Sequence, residues 1–132
     1  MHRHLYIQWN DYNSLGIPII DEQHRGIVSI INSLHYFTRE GTALESLGPT
    51  INAMDYLAVL HFKTEETLFT NSAFPGHAEH IQAHRKFSQQ VSAVLQEAKS
   101  SGDAQLALVF LKKWWIDHIN VEDKKYAPYI KA

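Results

Sequence analysis

The chain has 132 residues, 45% apolar and 20% charged, with a formal net charge of −2. These are values of an ordinary globular domain and give no reason to expect nucleic acid or an anionic membrane as a partner. It has nine histidines and no cysteine, which excludes disulfides, thiolate zinc sites, iron–sulfur clusters and thiol nucleophiles, and leaves imidazole and carboxylate as the candidate metal ligands.

The opening MHRHLYIQWNDYNSLGIPII lacks the apolar stretch of a secretory signal. No apolar run is long enough to span a bilayer, so a cytoplasmic protein is expected. Residues 1–20 read as an arm whose Tyr6, Ile7 and Trp9 pack on the rest, with His2 and His4 solvated. A first helix is predicted from Asp21 to Arg39, where Ile27, Ile30, Ile31 and Leu34 fall at i, i+3, i+4 and i+7. A second runs from Pro49 to Thr70 on Ile51, Met54, Tyr56, Leu57, Leu60 and Phe62, with Pro49 suited to a first helical turn. A third covers His77 to Lys99, burying Ile81, Phe87, Val91, Val94, Leu95 and Ala98. The fourth opens at Asp103, a good N-cap, and runs through AQLALVFLKKWWIDHINVED. A tail, KKYAPYIKA, closes the chain. Four such helices with short connections predict one all-α domain over 1–132, an up-down-up-down antiparallel four-helix bundle with an N-terminal arm.

That topology brings the start of helix 1, the end of helix 2, the start of helix 3 and the end of helix 4 to one end. His24, His61 with Glu65, His80 with His84, His118 and Asp123 all fall there. His61/Glu65 and His80/His84 are i,i+4 pairs, which share a helix face. His118 and Asp123 are five apart, which an α-helix would turn away from each other, so helix 4 is expected to widen there. His35 returns to the face of His24 but sits about 16 Å further along the axis, too far to share a site. His77, in the first turn after Pro75-Gly76, is expected to face solvent.

Five imidazoles and two carboxylates exceed the needs of one metal ion and suit two ions bridged by the carboxylates. The donor set fits Fe, Mn or Zn better than Ca or Mg. HIQAH has the spacing of a zinc-protease helix but lacks the glutamate of that motif, and no Glu-x-x-His of a ferritin-like di-iron site occurs.

GIPIIDEQH, HFKTEE, FPGHAEHIQAHRKF and HINVED, in this order and at these separations, resemble the hemerythrin family over essentially the whole chain. The resemblance implies two Fe ions with a bridging oxo or hydroxo group. His80, His84 and His118 would hold one iron, His24 and His61 the other, and Glu65 and Asp123 would bridge them. The iron with two histidines keeps an open position, where O2 would bind reversibly. Ile27, Phe62, Trp114, Trp115 and Ile119 match the family's apolar O2 pocket, Trp115 standing where a smaller aliphatic is more usual. The function implied is oxygen storage, delivery or sensing by a non-enzymatic protein, a monomer or weak oligomer, with no delivery partner legible. Because the chain ends just past the bundle, storage or delivery is favoured over signalling through an attached domain. The alternatives are a di-iron enzyme acting on peroxide or nitric oxide, or an iron-handling protein. An apolar pocket and the lack of an acid or base outside the ligand set weigh against the first. The lack of an acidic, mineral-nucleating cluster weighs against the second.

Overall fold

The structure is a computed structural model and describes residues 4–41 and 44–130; His2 lies outside them. Helix α1 spans Pro18–Arg39, α2 Leu44–Thr70, α3 His77–Ser101 and α4 Gln105–Trp114. α4 runs on as a π-helical segment, Trp115–Glu122, followed by a 3-10 turn at Asp123–Lys125 and a short helix α5, Ala127–Ile130. Each of α1 to α4 packs on its sequence neighbours, and α1 packs on α4 to close the ring. This is the antiparallel four-helix bundle.

Two helices start earlier than their apolar stripes suggest. α1 begins at Pro18 rather than Asp21, with Pro18 in the first turn, where its missing N–H costs nothing. Asp21 instead turns back to the arm, accepting hydrogen bonds from the Ser14 hydroxyl (2.6 Å) and the Leu15 amide (2.8 Å). α2 begins at Leu44, so that Pro49 lies inside it and forfeits one helical hydrogen bond near its start. α3 ends on Gly102, whose φ of 76° permits the left-handed cap and whose N–H reaches Ala98 O. The Asp103 carboxylate accepts from the amide of Gln105 at 2.9 Å, capping α4 from just outside it.

The arm is strapped to the bundle. Ile7 exchanges two hydrogen bonds with the Asn32 side chain, both 2.8 Å. The Tyr6 hydroxyl donates to Leu108 O, and Asn13 donates to Asn120 at 2.7 Å. The core divides into two apolar clusters. The larger includes Ile27, Ile31, Met54, Leu95 and Leu111. The smaller gathers Leu15, Ile17, Ile20, Phe69, Tyr126 and Ala127. The C-terminal segment therefore does not trail off as a tail, since Tyr126 is fully buried. Among the described residues no helix is long and apolar enough to cross a membrane.

Candidate metal centre

The seven residues singled out at one end of the bundle all come together, and all are buried: His24, His61, Glu65, His80, His84, His118 and Asp123. They lie between the two apolar clusters. The His84 ring stacks on Phe62 of the larger at 4.4 Å, and the His80 ring meets Phe69 of the smaller edge-on at 5.1 Å. Two sets have donor atoms within 4.8 Å of one another, His80–His84–His118–Asp123 and His24–His61–Glu65–Asp123. Asp123 belongs to both.

Local helix geometry delivers these contacts. The i,i+4 pair on α2 puts His61 Nε2 3.4 Å from Glu65 Oε2. Helix 4 widens where the five-residue spacing requires it. The Asp123 amide bonds back to His118 O, an i→i+5 bond that sets His118 and Asp123 on nearly one face. Each carboxylate turns one oxygen to each half. Asp123 Oδ1 is 2.8 Å from His80 Nε2 and 3.6 Å from His118 Nε2, and Oδ2 is 3.2 Å from His24 and 3.3 Å from His61. Glu65 Oε1 is 2.9 Å from His84 Nε2, while Oε2 faces His61.

The cluster is close-set yet poorly satisfied by hydrogen bonds. His24 Nδ1, Glu65 Oε1, His84 Nε2 and His118 Nε2 are buried without a hydrogen-bond partner, although the middle two are 2.9 Å apart. Lone pairs that crowd together without hydrogen-bond alignment cost free energy unless a cation satisfies them. Burial pushes the His118 pKa down to about 4, the Asp123 carboxylate only partly offsetting it, so its ring is neutral and free to ligate. Burial would also raise Asp123, but hydrogen bonds from His24, His61 and His80 outweigh it and hold the carboxyl well below the usual range. At His61 burial is outweighed by Glu65 and Asp123, which raise its pKa. The field that favours a proton there favours a metal cation in its place. The residues fit a pair of cations.

A model of the hemerythrin HHE cation-binding domain matches residues 15–130. The chain belongs to the hemerythrin family. It is 30% identical to a bacteriohemerythrin of Stenotrophomonas maltophilia over 94% of this chain and 81% of that one. A bacteriohemerythrin of Methylococcus capsulatus is 32% identical over 89% and 90%. A crystal structure of wild-type hemerythrin superposes with a TM-score of 0.85 at 27% identity, covering 96% of this chain and 99% of that one.

The five residues matched to the hemerythrin apolar pocket are all buried in the larger cluster. Phe62 contacts the His61 and His84 rings, Trp114 lies parallel to His118, and Trp115 meets His24 edge-on at 5.8 Å. Ile27 and Ile119 are at most 1% exposed. The two set-aside histidines stay outside both donor sets. His35 stacks on Tyr6 at 4.4 Å. His77 is half-buried against Phe69 rather than solvent-facing, because the second cluster extends to the start of α3.

Three residues beside the centre have no counterpart in the sequence reading. The Tyr126 hydroxyl donates to Glu65 Oε2. Gln23 and Glu66 accept from the outer nitrogens of His61 and His84, at 3.1 and 2.9 Å. Each is adjacent in sequence to a residue of the cluster or just beyond it. A neighbour one position along a helix points about 100° away, so no stripe marks it.

Proposed function

We propose that this chain binds O2 reversibly at a non-heme di-iron centre, with His80, His84 and His118 on one iron, His24 and His61 on the other, and Glu65 and Asp123 spanning both. The observation that carries the reading is the division of five buried imidazoles into three and two around carboxylates that offer one oxygen to each side. A pair of ferrous ions supplies the two electrons that O2 binding takes up and release returns. The chain's own residues set the conditions for it. The two carboxylates balance cationic charge in an apolar core, where it would otherwise cost many kcal/mol. The half with fewer histidines leaves room for a ligand. Trp115 and Ile27 on that side, with Phe62, Trp114 and Ile119, keep water and protons out, which reversibility requires.

The role is oxygen storage, delivery or sensing in a protein without turnover. Names of relatives as bacteriohemerythrin and hemerythrin-like protein support a binding role. The test is to add O2 to the anaerobic, iron-loaded, reduced protein and then remove it under vacuum. A colour change that reverses through repeated cycles is expected. Irreversible oxidation in the first cycle, or steady consumption of peroxide or nitric oxide, would overturn the reading in favour of an enzyme.

A further inference from the structure

We propose that Gln23 and Glu66 are positioning residues of the metal centre, and that their unequal charge makes the three-histidine half take up the first metal ion. This rests on the dinuclear reading above. Both act from across a helix pair. Gln23 on α1 reaches His61 on α2, and Glu66 on α2 reaches His84 on α3.

The orientation of the Gln23 amide is fixed by a chain of partners. Thr64 donates its hydroxyl to Leu60 O at 2.9 Å, so its oxygen is left to accept the Gln23 Nε2–H, also at 2.9 Å. Gln23 therefore turns its carbonyl oxygen to His61 Nδ1 at 3.1 Å. His61 thus gives its Nδ1 proton to Gln23 and turns Nε2, the nitrogen that would take a metal ion, to Glu65 and Asp123. Glu66 Oε2 does the same for His84 from 2.9 Å, leaving the Nε2 lone pair inward, beside Glu65 Oε1. A hydrogen bond from the outer ring nitrogen fixes the tautomer and raises ligand basicity.

The two acceptors differ in one respect, since the amide is neutral and the carboxylate is anionic. A carboxylate draws the Nδ1 proton further and pushes more electron density to Nε2. It also adds a negative charge near a cation on that side. Asp123 and Glu65 do not create this bias, because each gives an oxygen to both halves. Glu66 is partly exposed, its side chain 35% accessible, so water reduces its field, but the hydrogen bond aims it along the imidazole. Gln23 is buried, so a charge introduced there would be screened less. The centre is thus loaded in order, the three-histidine half first.

The test uses metal-free full-length protein with 15N-labelled histidine, titrated with Zn2+ as a diamagnetic probe and followed by NMR and calorimetry. Before metal is added, His61 and His84 should both show protonated Nδ1. At one equivalent, His80, His84 and His118 should shift while His24 and His61 stay largely unchanged. Glu66→Gln, which preserves shape, should weaken the first Zn2+ by about 10–100-fold. The double variant Gln23→Glu/Glu66→Gln should fill the His24/His61 half first or fill both together. Far-UV circular dichroism would check that both variants keep their helix content; if either does not, Glu66→Asp, which retains the charge, should keep the wild-type order. Two Zn2+ bound with order and affinities unchanged in both variants would overturn the proposal and leave the dinuclear reading standing. Fewer than two Zn2+ bound by the wild type would overturn that reading, and this proposal with it.

Discussion

Tyr126 donates its hydroxyl to Glu65 Oε2, a contact that ties the residue just before α5 to the middle of the centre 61 residues earlier in sequence. Both residues are fully buried. Burial, and the nearby Glu65 and Asp123 charges, push the phenol pKa far above its ordinary value, so Tyr126 stays a donor at any working pH. The phenol ring also meets Phe69 edge-on at 5.0 Å, which locks its direction. Tyr126→Phe keeps that packing and removes only the donor. A hydrogen bond to a buried charged group contributes about 1.5–3 kcal/mol. The urea midpoint of the metal-free protein should fall by a corresponding amount with an unchanged m-value. Chelators should also strip iron faster, since Glu65 is freer to rotate. An unchanged midpoint and unchanged chelation rate would mean that water replaces the phenol without loss.

Iron content gives a second expected outcome. Protein produced with ample iron should carry two iron atoms per chain, and its melting temperature should drop on chelation and recover on reloading. Binding to the native state alone stabilises it by mass action. It also satisfies the three unpartnered atoms that face the centre, Glu65 Oε1, His84 Nε2 and His118 Nε2. One iron per chain at full occupancy, measured by elemental analysis, would contradict the shared-carboxylate arrangement.

The histidines outside the centre supply the controls. His35→Ala removes a ring stacked on Tyr6 at 4.4 Å, a loss of about 0.5–1.5 kcal/mol, and should leave iron content untouched. His77→Ala should do the same, because its ring packs on Phe69 and lies in neither donor set. His61→Ala should lose the iron of the two-histidine half. Loss of iron from the His77 variant would shift the assignment on α3 by one turn.

What could be read in the sequence was whatever repeats along a helix. The stripe through Ile27, Ile31 and Leu34 marks the buried face of α1, and the i,i+4 pairs His61/Glu65 and His80/His84 mark the site. The five-residue step from His118 to Asp123 even carries the local widening of helix 4. Helix starts were less legible, because Pro18 and Pro49 lie in or near first turns, where backbone rules permit several registers. Gln23, Glu66 and Tyr126 were not legible at all. Each acts on a residue of another segment, so its role depends on which segments end up adjacent, and a lone chain carries no periodic trace of that.

The final prediction concerns access to the two-histidine half. Trp115 lies between the arm and the centre, with its ring 6.1 Å from that of Trp9 on one side and 5.8 Å from that of His24 on the other. Arg25 sits over the outer Trp9 ring at 4.9 Å. The three side chains close this wall from solvent inward. Trp115→Leu opens space within it without touching a donor atom. O2 association and dissociation should then quicken together in stopped-flow measurements. The affinity should change little, because a gate alters the barrier and leaves both end states as they were. Ile119, next to His118 and 1% exposed, belongs to the inner lining. Ile119→Ala should cost about 2–5 kcal/mol of stability, but the informative readout is the half-life of the reduced protein in air. A cavity there admits water and protons, so conversion to the ferric form should speed up while the O2 rates move less than in Trp115→Leu. Unchanged rates in Trp115→Leu together with an unchanged half-life in Ile119→Ala would reduce both residues to core packing.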